Sequence, residues 1–217
     1  MSTRFRLDNK ASRADFDFGF TPFLLNDLTR GAVADVFAAG NTGDMDKAAQ
    51  AGLLADAPVR FATNTMAIVV APGNPKKVAS FRDLNRADLK VAVCIKQLKE
   101  PGTQAVGGAF CGTAIDKIEQ AAGVRLNHPV EVPRSEDVLQ KVINGDVDAG
   151  VAYVSDAFAG GSRVTRVPFP EATQAIVSYW IAVLKESKHP ELARKFVDLV
   201  TGPIGQEMLG ENGFAAP

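Results

Sequence analysis

Asn64-Thr65-Met66-Ala67-Ile68-Val69-Val70-Ala71 is an apolar run closed by Pro72-Gly73-Asn74-Pro75. Its length, its β-branched residues and its turn-forming end predict a buried strand over residues 64–71. A second run of the same kind covers residues 175–184 and carries Trp180. The two bracket a block of about 100 residues, the size of a small domain. That block has its own alternation. Strands are expected at 91–95, 130–132, 150–154 and 164–167. A helix is expected from Cys111 to Ala122, stopped at Gly123, and another from Ser135 to Ile143, with Val138, Leu139, Val142 and Ile143 at helical spacing. Strands alternating with helices place the chain in the α/β class, with mostly parallel sheets. The expected organisation is two lobes of discontinuous sequence, residues 1–69 with 180–217 and residues 70–179. A ligand would sit in the cleft between them.

Outside the central block, Phe16, Phe18 and Phe20 alternate with polar or small residues, which predicts a strand running into a turn at Thr21-Pro22. A short helix is expected over 23–28, a strand over 34–39 ending at Gly40-Asn41, and a helix over 45–54. Residues 80–84 read as a helical turn and 96–110 as a polar, glycine-containing loop. Helices over 192–199 and 204–209 lead to Gly213-Phe214.

Composition excludes several functions. Lys and Arg number 24 against 25 Asp and Glu, a net charge of −1, so broad electrostatic capture of nucleic acid is not expected. No apolar run approaches the roughly 18 residues of a membrane span, so contact with a membrane would be peripheral at most. Residues 1–13 are polar and charged, without the apolar core of an export signal. Both histidines, His128 and His189, precede prolines, and there is no HExxH or CxxC pair. No GxSxG, phosphate loop or strand-following GxGxxG occurs either. No metal cation, cofactor or enzymatic chemistry is therefore indicated. Cys94 and Cys111 are either a disulfide or two small buried apolar side chains. A Cys111 nucleophile at a helix start is a further reading, which a disulfide would exclude.

Three places combine small residues, hydroxyls and helix starts: Gly19-Phe20-Thr21-Pro22, Cys111-Gly112-Thr113 and Ser135-Glu136-Asp137-Val138. N–H groups at helix N-termini attract anions without a formal cation. Tyr153, at a strand end, adds a phenol donor. Each feature also has an ordinary structural reading: Ser135 as an N-cap, Tyr153 as a core or rim tyrosine.

Taken in order, five blocks resemble the periplasmic molybdate-binding proteins of ABC transporters, in particular their actinobacterial branch. They are residues 31–38 (Gly-Ala-Val-Ala-Asp-Val-Phe-Ala), 64–72, Ser135-Glu136-Asp137-Val138, 149–157 (Ala-Gly-Val-Ala-Tyr-Val-Ser-Asp-Ala) and Asn212-Gly213-Phe214. The likeness runs from about residue 16 to residue 217. It implies a two-lobe periplasmic-binding-protein (type II) fold. It also implies binding of molybdate or tungstate as an oxyanion held by hydroxyls and backbone N–H groups, with delivery to an ABC transporter permease. Position by position, it implies Thr21 as a hydroxyl ligand, Cys111 and Val138 as backbone N–H donors, and Tyr153 as the hydroxyl that caps the anion. It implies paired cysteines, Cys94 with Cys111, and a place in the periplasm or on the outer face of the cell membrane. The family's opening strand and serine-bearing turn have no counterpart before residue 16. Two alternatives follow from that departure: a cytosolic small-ligand-sensing domain of the same fold, or a truncated remnant with weakened binding.

Overall fold

The computed structural model describes residues 1–10, 12–95, 97–98, 106–107 and 111–217. In chain order the elements are α1 (Ser2–Asp8), α2 (Thr21–Thr29), β1 (Val36–Ala39), α3 (Thr42–Gln50), β2 (Val59–Asn64), β3 (Met66–Val70), β4 (Val91–Cys94), β5 (Gln97–Leu98), β6 (Val106–Gly107), α4 (Cys111–Ala122), β7 (Val130–Val132), α5 (Ser135–Ile143), β8 (Ala149–Tyr153), α6 (Val154–Gly160), β9 (Thr165–Val167), β10 (Val177–Val183), α7 (Pro190–Thr201) and α8 (Pro203–Glu211). They form two compact units. One holds residues 1–63 and 177–217, the other residues 64–176. Among the described residues no helix is long and apolar enough to cross a membrane.

In the first unit the sheet order is β1-β10-β2. β1 runs antiparallel to β10, with Val36 opposite Val183 and Ala39 opposite Trp180. Phe37, Ala39, Met45, Ala48, Ala182 and Leu184 form its core. α3 begins at Thr42, earlier than the residue-45 start read from hydrophobic spacing. Asn41 supplies the reason: its side chain accepts from Asp44 N–H at 2.8 Å, which caps the first turn. The strand expected over Phe16–Phe20 does not form. Residues 12–20 form neither helix nor strand, and Phe18 is 87% exposed. Period-two spacing puts the Phe16 and Phe18 rings on one side of the chain. There they stack on each other at 5.6 Å, and Phe16 leans on Phe196 at 5.9 Å. The alternation reflects a surface aromatic stack rather than a sheet register.

The second unit has a five-stranded sheet in the order β7-β4-β8-β3-β9. β4 is parallel to both β7 and β8, while β3 is antiparallel to β8 and β9. The expectation of mostly parallel sheets is therefore corrected: the five-stranded sheet is mixed, and the first unit's sheet contains the antiparallel pair β1 and β10. All five residues of β3 are buried. Burial on both faces dictates an unbroken apolar run whether a strand's neighbours are parallel or antiparallel, so alternation of strands and helices alone does not reveal the direction of β3. The reading of 96–110 as a loop lies largely outside the described residues, but β5 and β6 within it pair antiparallel, Leu98 opposite Val106.

Helix α5 lies on β8 because Gly150 has no side chain. A Cβ there would collide with Val138 Cγ1 and would also sit 3.3 Å from the Ala92 carbonyl oxygen and 3.4 Å from Val142 Cγ2. Val138 is wholly buried, so it has little room to yield. Gly150→Ala is expected to destabilise the protein by about 1–3 kcal/mol through overpacking. Urea unfolding of variant and parent checks this, and unchanged stability would show that α5 can shift outward at no cost.

Candidate oxyanion site

The parallel trio β4, β7 and β8 determines where polar groups gather. All three strands point the same way, so Cys94, Val132 and Tyr153 lie at one end of the sheet. Carboxyl ends of parallel strands are where α/β sheets place ligands, because the following helices present their N-termini there. α5 starts three residues after β7, and α6 starts directly after β8. The start of α4 is brought to the same end by covalent means. Cys111, its first residue, is disulfide-bonded to Cys94 at the end of β4, with a Cα–Cα distance of 5.6 Å. Both cysteines are buried, and neither has a thiol left to act as a nucleophile.

The structure thus gathers Cys111, Val138 and Tyr153 at one end of the second unit, while Thr21 belongs to the first unit. Their local states differ. Cys111 heads a twelve-residue helix, so its N–H belongs to the first turn, where helical acceptors are lacking. Val138 N–H donates to the Arg134 carbonyl at a long 3.3 Å. It is the first N–H of α5 to make an i→i−4 bond, and an anion at this turn would share or displace that contact. Tyr153 closes β8 and is partly buried. Its strand end is held from the β3 side: Val154 N–H donates to the Thr65 carbonyl at 2.9 Å, and Asn64 Nδ2 donates to Ser155 Oγ at 2.9 Å. Thr21 opens α2, with Pro22 in the first turn. Its Oγ1 accepts from Gly40 N–H at 3.2 Å, so its hydroxyl proton can be given elsewhere. The Tyr179 ring lies beside the same glycine, with Cε1 3.8 Å from where a Gly40 Cβ would stand.

The part played by Ser135, and Asp156 as its partner, were not foreseen. Ser135 is not the N-cap of α5; Arg134 occupies that position and makes no side-chain cap. Ser135 is instead buried, and its hydroxyl donates to the Asp156 carboxylate while accepting from Tyr153 N–H at 3.0 Å. Asp156 also accepts from Tyr153 N–H at 3.2 Å. Burial pushes the Asp156 carboxyl up to about 6, with nearby Glu136 adding to the rise, while the Ser135 hydroxyl and Tyr153 N–H oppose it. The only sequence signal for this cluster was an Asp three residues beyond a strand end. Its partner lies 21 residues earlier.

Arg134, beside the α5 start, is held by Asp137 at 3.0 Å. Among the described residues no group of His, Cys, Asp and Glu is arranged to hold a metal ion. What remains is a set of helix-start N–H groups and hydroxyls, which suits a small anion held by hydrogen bonds.

Comparison with known proteins gives the family. Residues 2–215 match the model of the bacterial extracellular solute-binding proteins. The molybdate-binding protein ModA of Mycobacterium tuberculosis and that of Mycobacterium bovis are each 47% identical over 214 residues, covering 99% of this chain and 78% of theirs. Two solved structures share the fold. The periplasmic molybdate-binding protein of Azotobacter vinelandii has a TM-score of 0.76 at 14% identity, covering 100% of this chain and 92% of that one. The sulfate-binding protein SubI of M. tuberculosis has a TM-score of 0.77 at 16% identity, covering 99% and 80%. The fold is thus that of the type II periplasmic binding proteins. Such relatives are solute-binding components of transport rather than enzymes, which sets aside both the Cys111 nucleophile and the cytosolic sensor. The chain belongs to the bacterial extracellular solute-binding protein family, and within it resembles the ModA molybdate-binding proteins.

Proposed function

We propose that this protein binds molybdate or tungstate as a tetrahedral oxyanion outside the cytoplasm and hands it to the permease of an ABC importer. The observation that carries the reading is the gathering of the α4 start, the α5 first turn and Tyr153 at the carboxyl end of β4, β7 and β8. The 47% identity to proteins named for molybdate binding supports it. The proposed donors are the Thr21 hydroxyl, the N–H groups of Cys111 and Val138, and the Tyr153 hydroxyl. Neutral donors suit a dianion that must later be released. Selection against sulfate would rest on size: sulfate carries the same charge on a smaller tetrahedron, so donors spaced for the larger anion meet it poorly.

Tyr153→Phe is expected to weaken molybdate binding by about 1.5–3 kcal/mol, or ten- to more than a hundredfold, because a charged ligand loses one hydrogen bond. Titration calorimetry of parent and variant reads this directly. Equal affinity would remove Tyr153 from the site.

A further inference from the structure

The buried Ser135–Asp156 contact has no part in the donor set, yet it joins the elements that carry two of the donors. α5 follows β7 and α6 follows β8, and these strands are not neighbours, because β4 lies between them. The face of α5 is held on β8 by apolar packing of Val138 over Gly150. Apolar contact fixes a distance but leaves sliding and rotation weakly specified, whereas a hydrogen bond fixes direction. At the first turn of α5 the link is polar and fully used. Tyr153 N–H donates to Ser135 Oγ at 3.0 Å, so the serine's own proton is left to go to Asp156. Asp156, at the third position of α6, closes the ring by accepting from the same Tyr153 N–H at 3.2 Å. Three groups on three elements thus hold one another, and Ser135 is only 4% exposed.

We propose that Ser135 and Asp156 are a positioning pair that sets the placement of the Val138 N–H relative to Tyr153, and thereby the affinity for the oxyanion. The inference rests on the functional reading above. Asp156 touches no ligand in this account; it acts through Ser135 and the Tyr153 backbone. Removing the carboxylate leaves a buried serine hydroxyl without its acceptor and weakens the tie on the Tyr153 N–H. The first turn of α5 then keeps only the Tyr153 N–H bond to Ser135 and its apolar packing, with the serine proton no longer directed.

The test measures molybdate affinity by calorimetry at pH 7.5, alongside thermal unfolding, for the parent, Asp156→Ala, Asp156→Asn, Ser135→Ala and the double variant Ser135→Ala/Asp156→Ala. Phe81→Leu, a substitution of a buried core residue outside the pair, serves as the stability control. Asp156→Ala and Ser135→Ala are each expected to lower affinity about tenfold, the equivalent of one lost hydrogen bond. The double variant should lose no more than Ser135→Ala alone, because that change already breaks every polar link from the α5 start to Tyr153 and Asp156. Asp156→Asn keeps an acceptor oxygen in place and should bind within about threefold of the parent, well inside the effect of a whole hydrogen bond. Phe81→Leu should lower the unfolding temperature and leave affinity unchanged. Parent-like affinity in the two alanine variants overturns the inference. So does an asparagine variant as damaged as the alanine one, or a control that loses affinity in step with stability. A parent that binds neither molybdate nor tungstate refutes the functional reading itself, a result separate from any difference among variants, and the pair's role falls with it.

Discussion

Replacing Cys94 and Cys111 together by alanine is expected to lower the unfolding free energy by about 3 kcal/mol, the scale for a cross-link closing a loop of this length. The bonded residues are 17 apart in sequence, and the bond ties the end of β4 to the start of α4. Alanine is the better replacement, because both positions are almost completely buried and a serine hydroxyl would bring a desolvation cost of its own. In a chain of this size the loss corresponds to roughly 6–12 °C in unfolding temperature. Urea unfolding of the oxidised parent, the reduced parent and the double variant measures it, and the latter two should coincide. The same change should weaken oxyanion binding, since it releases the helix start that presents the Cys111 N–H. A loss below about 1 kcal/mol would mean that packing of Ala114, Ile115 and Ile118 already holds α4 in place.

The second large effect is a pH dependence that Asp156→Asn removes. Burial raises the Asp156 carboxyl from 3.8 to about 6, so the folded protein holds this proton more tightly than the unfolded chain does. The stability it contributes is therefore complete below the unfolded value of 3.8 and is lost as pH rises through about 6. Over that window the parent should lose about 3 kcal/mol through this group. Other carboxylates titrate in the same range, so the difference between parent and variant isolates the effect. Unfolding free energies at pH 4, 5, 6 and 7.5 should diverge by about that amount, with the asparagine variant the more stable at pH 7.5. Parallel curves would mean that hydrogen bonds from Ser135 and Tyr153 N–H cancel the cost of burying the charge.

Local signals carried much of this architecture. Helix α4 was legible because Gly123 follows it at φ +60°, a backbone state that glycine adopts without strain. Helix α5 was legible because Val138, Leu139 and Val142 recur on one buried face. β7 and β4 were legible as short apolar runs between turn residues. β2 was missed because Val59-Arg60-Phe61-Ala62-Thr63-Asn64 has exposed positions at its start and no sustained alternation. α6 was missed because β8 runs into it without a break: Tyr153 ends the strand and Val154 begins the helix. For the proposed site, the helix starts at Cys111 and Ser135–Val138 and the strand end at Tyr153 stood out in the residues themselves, while their roles followed from family likeness. The Ser135–Asp156 pair was invisible to both readings. It exists only because the sheet order brings the first turn of α5 to the end of β8, and a serine at a helix start looks the same whether it caps the helix or turns inward.

The most direct test of the account is titration calorimetry of the unmodified chain with molybdate, tungstate and sulfate at one pH and ionic strength. The account predicts one binding site per chain for molybdate and tungstate, with sulfate at least about tenfold weaker, a gap of ~1.4 kcal/mol. Sulfate binding as tightly as molybdate, or no binding of either larger oxyanion, would contradict it.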